Sequence, residues 1–200
     1  MSWLREILSV WSDGGWVMVP LAIVGVVMYS IALQLMLYFS KRDFRRIPRE
    51  IWTEWVKDPT KGEGEVGEII RYTQDEVGSL DAIQNRFAEI QAAKMPRISL
   101  RLDLLQKLVT AAPLMGLLGT VLGMIQTFTA LHRGGGNVVD LISSGIAKAL
   151  ITTETGLLIA LPGYFLAYRI RSKRNQYQAF LAQLESATMQ QYHQKLSENP

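Results

Sequence analysis

Residues 110–130 read TAAPLMGLLGTVLGMIQTFTA. The stretch carries no charge and is long enough to cross a bilayer, which takes about 20 mainly apolar residues. Yet it holds Pro113, three glycines and four threonines. Lipid alone would be satisfied by leucine, isoleucine and valine. The helix breakers and hydroxyls need a second explanation, and finding it decides the fold.

Two further stretches share the lack of charge. Residues 14–40 contain none, and residues 149–168 contain only Glu154. The expectation is an all-α membrane protein with transmembrane helices over 16–40, 105–131 and 147–169. Around them the chain divides into an interfacial amphipathic helix at 1–15, a helical insert at 41–104, an outer loop at 132–146 and a helical tail at 170–200. Trp3, Leu4, Ile7, Leu8 and Trp11 share one face of the first segment, which suits a helix lying on the membrane surface. In the insert, helices are expected over about 64–78 and 79–94, with an interruption at Pro96. Ile98, Leu102, Leu105 and Val109 then repeat at helical spacing, so the second membrane helix starts outside the bilayer and runs into it. Tyr177, Leu181 and Leu184 extend the third helix in the same way. The chain has 200 residues and no cysteine, which excludes disulfides and thiolate metal sites. The first apolar run is too long for a signal-peptide core and has no basic segment before it.

The cations set an orientation. Of 21 lysines and arginines, 13 lie in 41–107 and five in 169–200. Lys41, Arg42, Arg45 and Arg46 follow the first span, and Arg169, Arg171, Lys173 and Arg174 follow the third. By the positive-inside rule these segments are cytoplasmic, and the N-terminus and the 132–146 loop are outside. The net charge of +3 is thus a topology signal. Nucleic acid is not an expected partner, because the basic residues hug the membrane and no binding motif appears. Three consecutive glycines at 134–136 read as a turn, since no phosphate-loop pattern surrounds them. His132 and His193 are isolated, so no metal site is expected. No nucleophile–base set points to an enzyme.

Small residues form two stripes. Gly116, Thr120, Gly123 and Thr127 fall at i, i+4, i+7 and i+11 of the second span. Ala149, Thr153, Gly156, Ala160 and Gly163 do the same in the third. Such stripes let membrane helices approach closely. Packing alone accounts for the glycines. Glu154 is different, because a carboxylate within a span costs about 2–3 kcal/mol on insertion scales and often marks an ion or proton path. It stands in the polar block TTET, 152–155, but shares its own face with Leu150, Leu158 and Leu161. The competing reading is an interfacial carboxylate paired with a cation such as Lys148 of a neighbouring chain.

APLMGLLGTVLGMIQTF and then SGIAKALITTETGLLIALP resemble the MotA/TolQ/ExbB proton-channel family, in order and spacing over roughly 98–170, with the ExbB branch nearest. The resemblance implies a multi-pass protein of the bacterial inner membrane, with a periplasmic N-terminus and a cytoplasmic C-terminus. It implies a homopentamer whose second and third helices line a central pore, and single-span partners of the ExbD or TolR type inside it. The partner's carboxylate carries protons, and a TonB-like protein receives the motion; no cofactor is implied. Thr120 and Thr153 match the family's pore threonines, and Pro113 and Pro162 its two membrane prolines. Lys148, at the expected pore mouth, stands where well-known ExbB members carry a glutamate. Thr127 and Glu154 join Thr120 and Thr153 as expected proton-path residues. Gly116, Gly123, Ala149, Gly156, Ala160 and Gly163 are the expected packing positions of the pore helices. A TolQ-like envelope role, a gliding or flagellar stator, and a non-conducting membrane scaffold remain as alternatives.

Overall fold

The computed structural model describes residues 11, 14–41, 47–75, 77, 79–132 and 138–198, except the side chains of 41 and 198. The expected surface helix at 1–15 lies outside them but for residues 11, 14 and 15, as do the residues 42–46 and the glycine turn. The described elements are helical. They are α1 (Met18–Lys41), α2 (Arg49–Lys57), a 3-10 turn (Pro59–Lys61), α3 (Gly64–Gln74), α4 (Leu80–His132) and α5 (Val138–Glu198). Three of them, α1, α4 and α5, are long and apolar enough to cross a membrane.

The interruption expected at Pro96 does not occur. Helix α4 runs unbroken through Pro96 and Pro113 for 53 residues. A proline removes one N–H and frees the carbonyl four residues before it. Packing outweighs that loss. Phe87, Met95, Ile98, Leu102, Leu105, Val109 and Ala112 are all buried along one side of the helix, at spacings of three, four or eight. Both prolines lie off this line: Pro96 is exposed and Pro113 half-buried.

Two compact units result. One comprises residues 1–33 and 103–168, the other 34–102 and 169–200. In the first, Met18, Leu21, Ala112 and Ala160 form a core from all three helices, with Val24, Met115 and Ile159 packed against it. The Tyr29 hydroxyl donates to the Ile159 carbonyl at 3.0 Å, tying α1 to α5. Its outer surface is apolar: Val19, Ile23 and Val26 of α1, Leu114, Leu118 and Val121 of α4, and Leu150, Leu158 and Leu161 of α5 are exposed.

In the second unit, Phe87, Ile83, Leu181 and Leu184 are fully enclosed, and Trp52 meets Phe180 edge-on at 5.9 Å. Removing each such side chain from water is worth about 1.5–3 kcal/mol. Polar ties add position. Lys94 pairs with Glu65, and the Gln74 amide donates to Val56 O at 3.0 Å. Asp58 caps the 3-10 turn, and the hydroxyl bond from Thr60 holds its carboxyl below the usual range.

The GEGEVGE run explains itself here. Gly64 has φ +61°, and the Gly62 and Gly67 backbones touch. A Cβ on Gly67 would lie 2.2 Å from the Gly62 carbonyl carbon, which cannot rotate away. Gly67→Ala is therefore expected to destabilise the 47–75 region by about 1–3 kcal/mol, as overpacking does. Faster limited proteolysis there than in the parent chain checks it; an unchanged rate would refute the contact.

Candidate functional site

The first unit holds all of the expected site residues. Helices α4 and α5 run antiparallel in it, and close contacts step along the pair. Thr127 sits against Gly145, where a Cβ would fall 1.6 Å from its Oγ1. Gly123 meets Ala149, Gly119 meets Thr152, and Gly116 meets the backbone of Thr152 and Thr153. Gly156 lies against the Ala112 carbonyl and the Gly116 Cα, and Gly163 against Val109 and Met28. In lipid, apolar area gains little by association, so this intimacy of backbones is what joins the helices.

The two small-residue stripes thus close on each other within one chain. The buried line on α4 is Gly116, Gly119, Gly123 and Thr127; on α5 it is Gly145, Ala149, Thr152, Gly156, Ala160 and Gly163. Gly119, Gly145 and Thr152 lie on this line and not on the stripes that periodicity predicts; Thr152 stands out in sequence only as part of TTET. Thr120 and Thr153 instead stand beside the line, partly exposed.

Membrane threonines must place their hydroxyl hydrogens, and these do so on carbonyls. Thr110, Thr127, Thr129 and Thr155 each donate to the carbonyl four residues earlier, at 2.8–3.1 Å. Thr120 donates to Leu117 O at 2.6 Å, on its own helix. Among the described residues, only Thr152 and Thr153 reach across. Both approach Gly116 O, at 3.4 Å and 3.2 Å, and Thr152 also bonds Ala149 O at 2.9 Å.

Helical geometry places the two partly exposed threonines. At 100° per residue, each stands about 60° round its helix from the buried line, in the same rotational sense. In an antiparallel pair the same sense on both helices is the same side. Thr120 and Thr153 therefore border one flank of the α4–α5 pair. Helix α1 covers the other flank, through Ile159 and Met115. Among the described residues, none covers the threonine flank, and Thr120 and Thr153 stay partly exposed on it.

The remaining expected residues separate. Thr127 is buried at 5% exposure with its hydroxyl bonded to Gly123 O, so it lies inside the helix contact. Glu154 is exposed on the back of α5 among Leu150, Leu158 and Leu161, and Lys148 is exposed as well. Neither has an ion pair among the described residues. Pro162 lies inside α5 and is exposed; Ala160 and Gly163 are buried.

Residues 64–183 match the model of the MotA/TolQ/ExbB proton channel family. Similar proteins include a putative biopolymer transport protein ExbB-like 1 of Synechocystis sp., 29% identical over 174 residues, covering 78% of this chain and 67% of that one. The biopolymer transport protein ExbB of Aquifex aeolicus is 31% identical over 109 residues, 52% of this chain and 72% of its own. The Tol-Pal system protein TolQ of Haemophilus influenzae is 33% identical over 75 residues, 38% of this chain and 33% of its own. The matched span takes in α3, the whole of α4 and the membrane part of α5, including both threonines of the open flank, and on that match the chain belongs to the MotA/TolQ/ExbB proton channel family.

Proposed function

We propose that the chain is the pore-forming scaffold subunit of a proton-driven motor of the bacterial inner membrane, ExbB-like in role. Five copies surround a pore, and an ExbD- or TolR-type single-span protein places its helix there. Proton inflow through its carboxylate drives motion passed to a TonB-like protein, energising transport at the outer membrane. The N-terminus is periplasmic; residues 41–104 and the tail are cytoplasmic. The observation that carries this reading is the open flank, which offers two hydroxyls and no charge to a passing helix. Thr120 and Thr153 line the proton path, while Thr127 packs. Glu154 and Lys148 lie towards the pore mouth, where each can meet an opposite charge from a neighbouring chain.

A second reading, a scaffold that does not conduct, is favoured by the closure of both small-residue stripes within one chain. Reconstitution separates the two. The chain co-expressed with its single-span partner is expected to give a five-to-two complex by native mass spectrometry. In liposomes under a pH gradient and a potential, that complex is expected to admit protons. Loss of flux should follow Asp→Asn in the partner's membrane helix. A complex that assembles but stays proton-tight under both forces establishes the scaffold.

A further inference from the structure

The second unit contains a cavity of ≈ 390 Å³ lined by Leu35, Tyr38, Ala93, Lys94, Arg97, Ile98 and Arg101. Its two walls differ in chemistry. Leu35 and Tyr38 come from the last two turns of α1, whose candidate span ends at Ser40. With Ile98 they make an apolar side, and Leu35 and Ile98 are themselves buried. The other side is cationic and comes from α4. Lys94 is held by Glu65. Arg97 and Arg101 are exposed and pair with no carboxylate among the described residues; Arg101 makes one long bond, 3.4 Å, to the neutral Gln34. Two guanidiniums therefore converge on a cavity at the end of a membrane helix, beside an aromatic ring, and among the described residues neither has a carboxylate partner.

We propose that this cavity holds the headgroup of an anionic phospholipid. A guanidinium fork matches two phosphate oxygens, which an ammonium cannot do. Basic pockets beside membrane helices on the cytoplasmic side suit such headgroups. An apolar wall continuous with the end of α1 suits the glycerol and upper acyl chain, which a soluble anion lacks. Tyr38 sits at the depth where amphipathic rings accumulate. A phosphodiester with no ammonium of its own is favoured over a zwitterionic lipid, whose own cation would be brought to Arg97 and Arg101. The site involves neither threonine of the open flank and stands whether or not the chain conducts protons.

The test is lipid binding to the full chain in detergent, read by native mass spectrometry with phosphatidylglycerol or phosphatidylcholine of the same acyl chains. Phosphatidylglycerol is expected to bind more tightly. Arg97→Gln with Arg101→Gln should weaken it about 30-fold, or about 2 kcal/mol, at about 1 kcal/mol per juxtamembrane cation. Arg169→Gln with Lys173→Gln, cations that do not line the cavity, should leave it unchanged, as should excess inorganic phosphate. The same spectra report assembly; if the double variant misassembles, Arg97→Gln alone carries the test with about a fivefold loss. Equal losses in both double variants would mean diffuse attraction and overturn the site. Displacement by inorganic phosphate would mean a soluble anion, and equal binding of both lipids would remove the charge selection; either result also overturns it.

Discussion

Gly156→Val is expected to part α4 from α5. A Cβ at 156 would lie 2.8 Å from the Ala112 carbonyl oxygen and 3.2 Å from the Gly116 Cα. Both are backbone atoms of the facing helix, so no rotamer change relieves the conflict, and valine adds two methyls. The helices must separate, and separation breaks the bond from Thr153 to Gly116 O and the longer approach of the Thr152 hydroxyl, whose hydrogen goes chiefly to Ala149 O. Overpacking costs about 1–3 kcal/mol, and each lost interhelical bond in a membrane about 0.6 kcal/mol. The sum, roughly 2–4 kcal/mol, is a thirtyfold to thousandfold shift towards the open pair. Gly145→Ala is the comparison. The atoms nearest its added carbon all belong to the Thr127 side chain: turning χ1 moves the Oγ1 at 1.6 Å away, and what remains is the Thr127 Cβ at 2.9 Å, a milder conflict than one with two backbone atoms. Thermal denaturation in detergent should therefore rank Gly156→Val well below Gly145→Ala, with the parent highest. The reverse order would mean that the helices yield more readily than the Thr127 rotamer, and the account of close backbone packing would fall.

The same contacts show why some of this is written in the sequence and some is not. The spans are legible because charge is excluded from lipid: α1, α4 and α5 each form over one of the three apolar stretches, α1 taking up 18–40 of the first. The continuity of α4 is not legible. Pro96 is a local signal for a break, and it is overruled by burial of Met95, Ile98 and Leu102 against distant parts of the chain. The stripes are legible as stripes but not in phase. Gly119 stands next to Thr120 and Thr152 next to Thr153, so small residues fill both candidate lines and periodicity cannot choose between them. Only the facing helix chooses, by what a Cβ would strike. The block TTET misleads for a related reason. Neighbours in sequence stand about 100° apart on a helix, so Glu154 and Thr153 face different surroundings. Arg97 and Arg101 carry no motif at all. Their significance comes from Leu35 and Tyr38, about sixty positions earlier, which only the fold brings beside them.

Thr120→Val and Thr153→Val are expected to leave the assembly intact and depress proton-driven activity at least tenfold each, about 1.4 kcal/mol or more in the barrier. Valine keeps the shape of threonine and removes the hydroxyl. For Thr153 the structural loss is one cross-helix bond, to Gly116 O, worth about 0.6 kcal/mol; for Thr120 it is a bond within its own helix. Neither loss should unfold the pair. A threonine that donates to a carbonyl still offers its oxygen lone pairs, so each hydroxyl on the open flank can accept from a protonated carboxyl or a water. By turning its hydrogen outward it can also donate to a carboxylate. A hydroxyl does not titrate near neutral pH, so these residues cannot carry the proton. In the proposed motor they would lower the cost of a partner's carboxyl group in either protonation state, and an unsatisfied buried polar group costs about 1–3 kcal/mol. Thr120→Ser and Thr153→Ser keep both functions of the oxygen and should retain most of the activity. Thr152→Val, which alters a buried hydroxyl inside the helix contact, should lower the denaturation temperature more than the flux. Proton flux in reconstituted liposomes, normalised to the amount of assembled complex, distinguishes these outcomes. Full flux in both open-flank valine variants, with the assembly intact, would show that Thr120 and Thr153 only fill space.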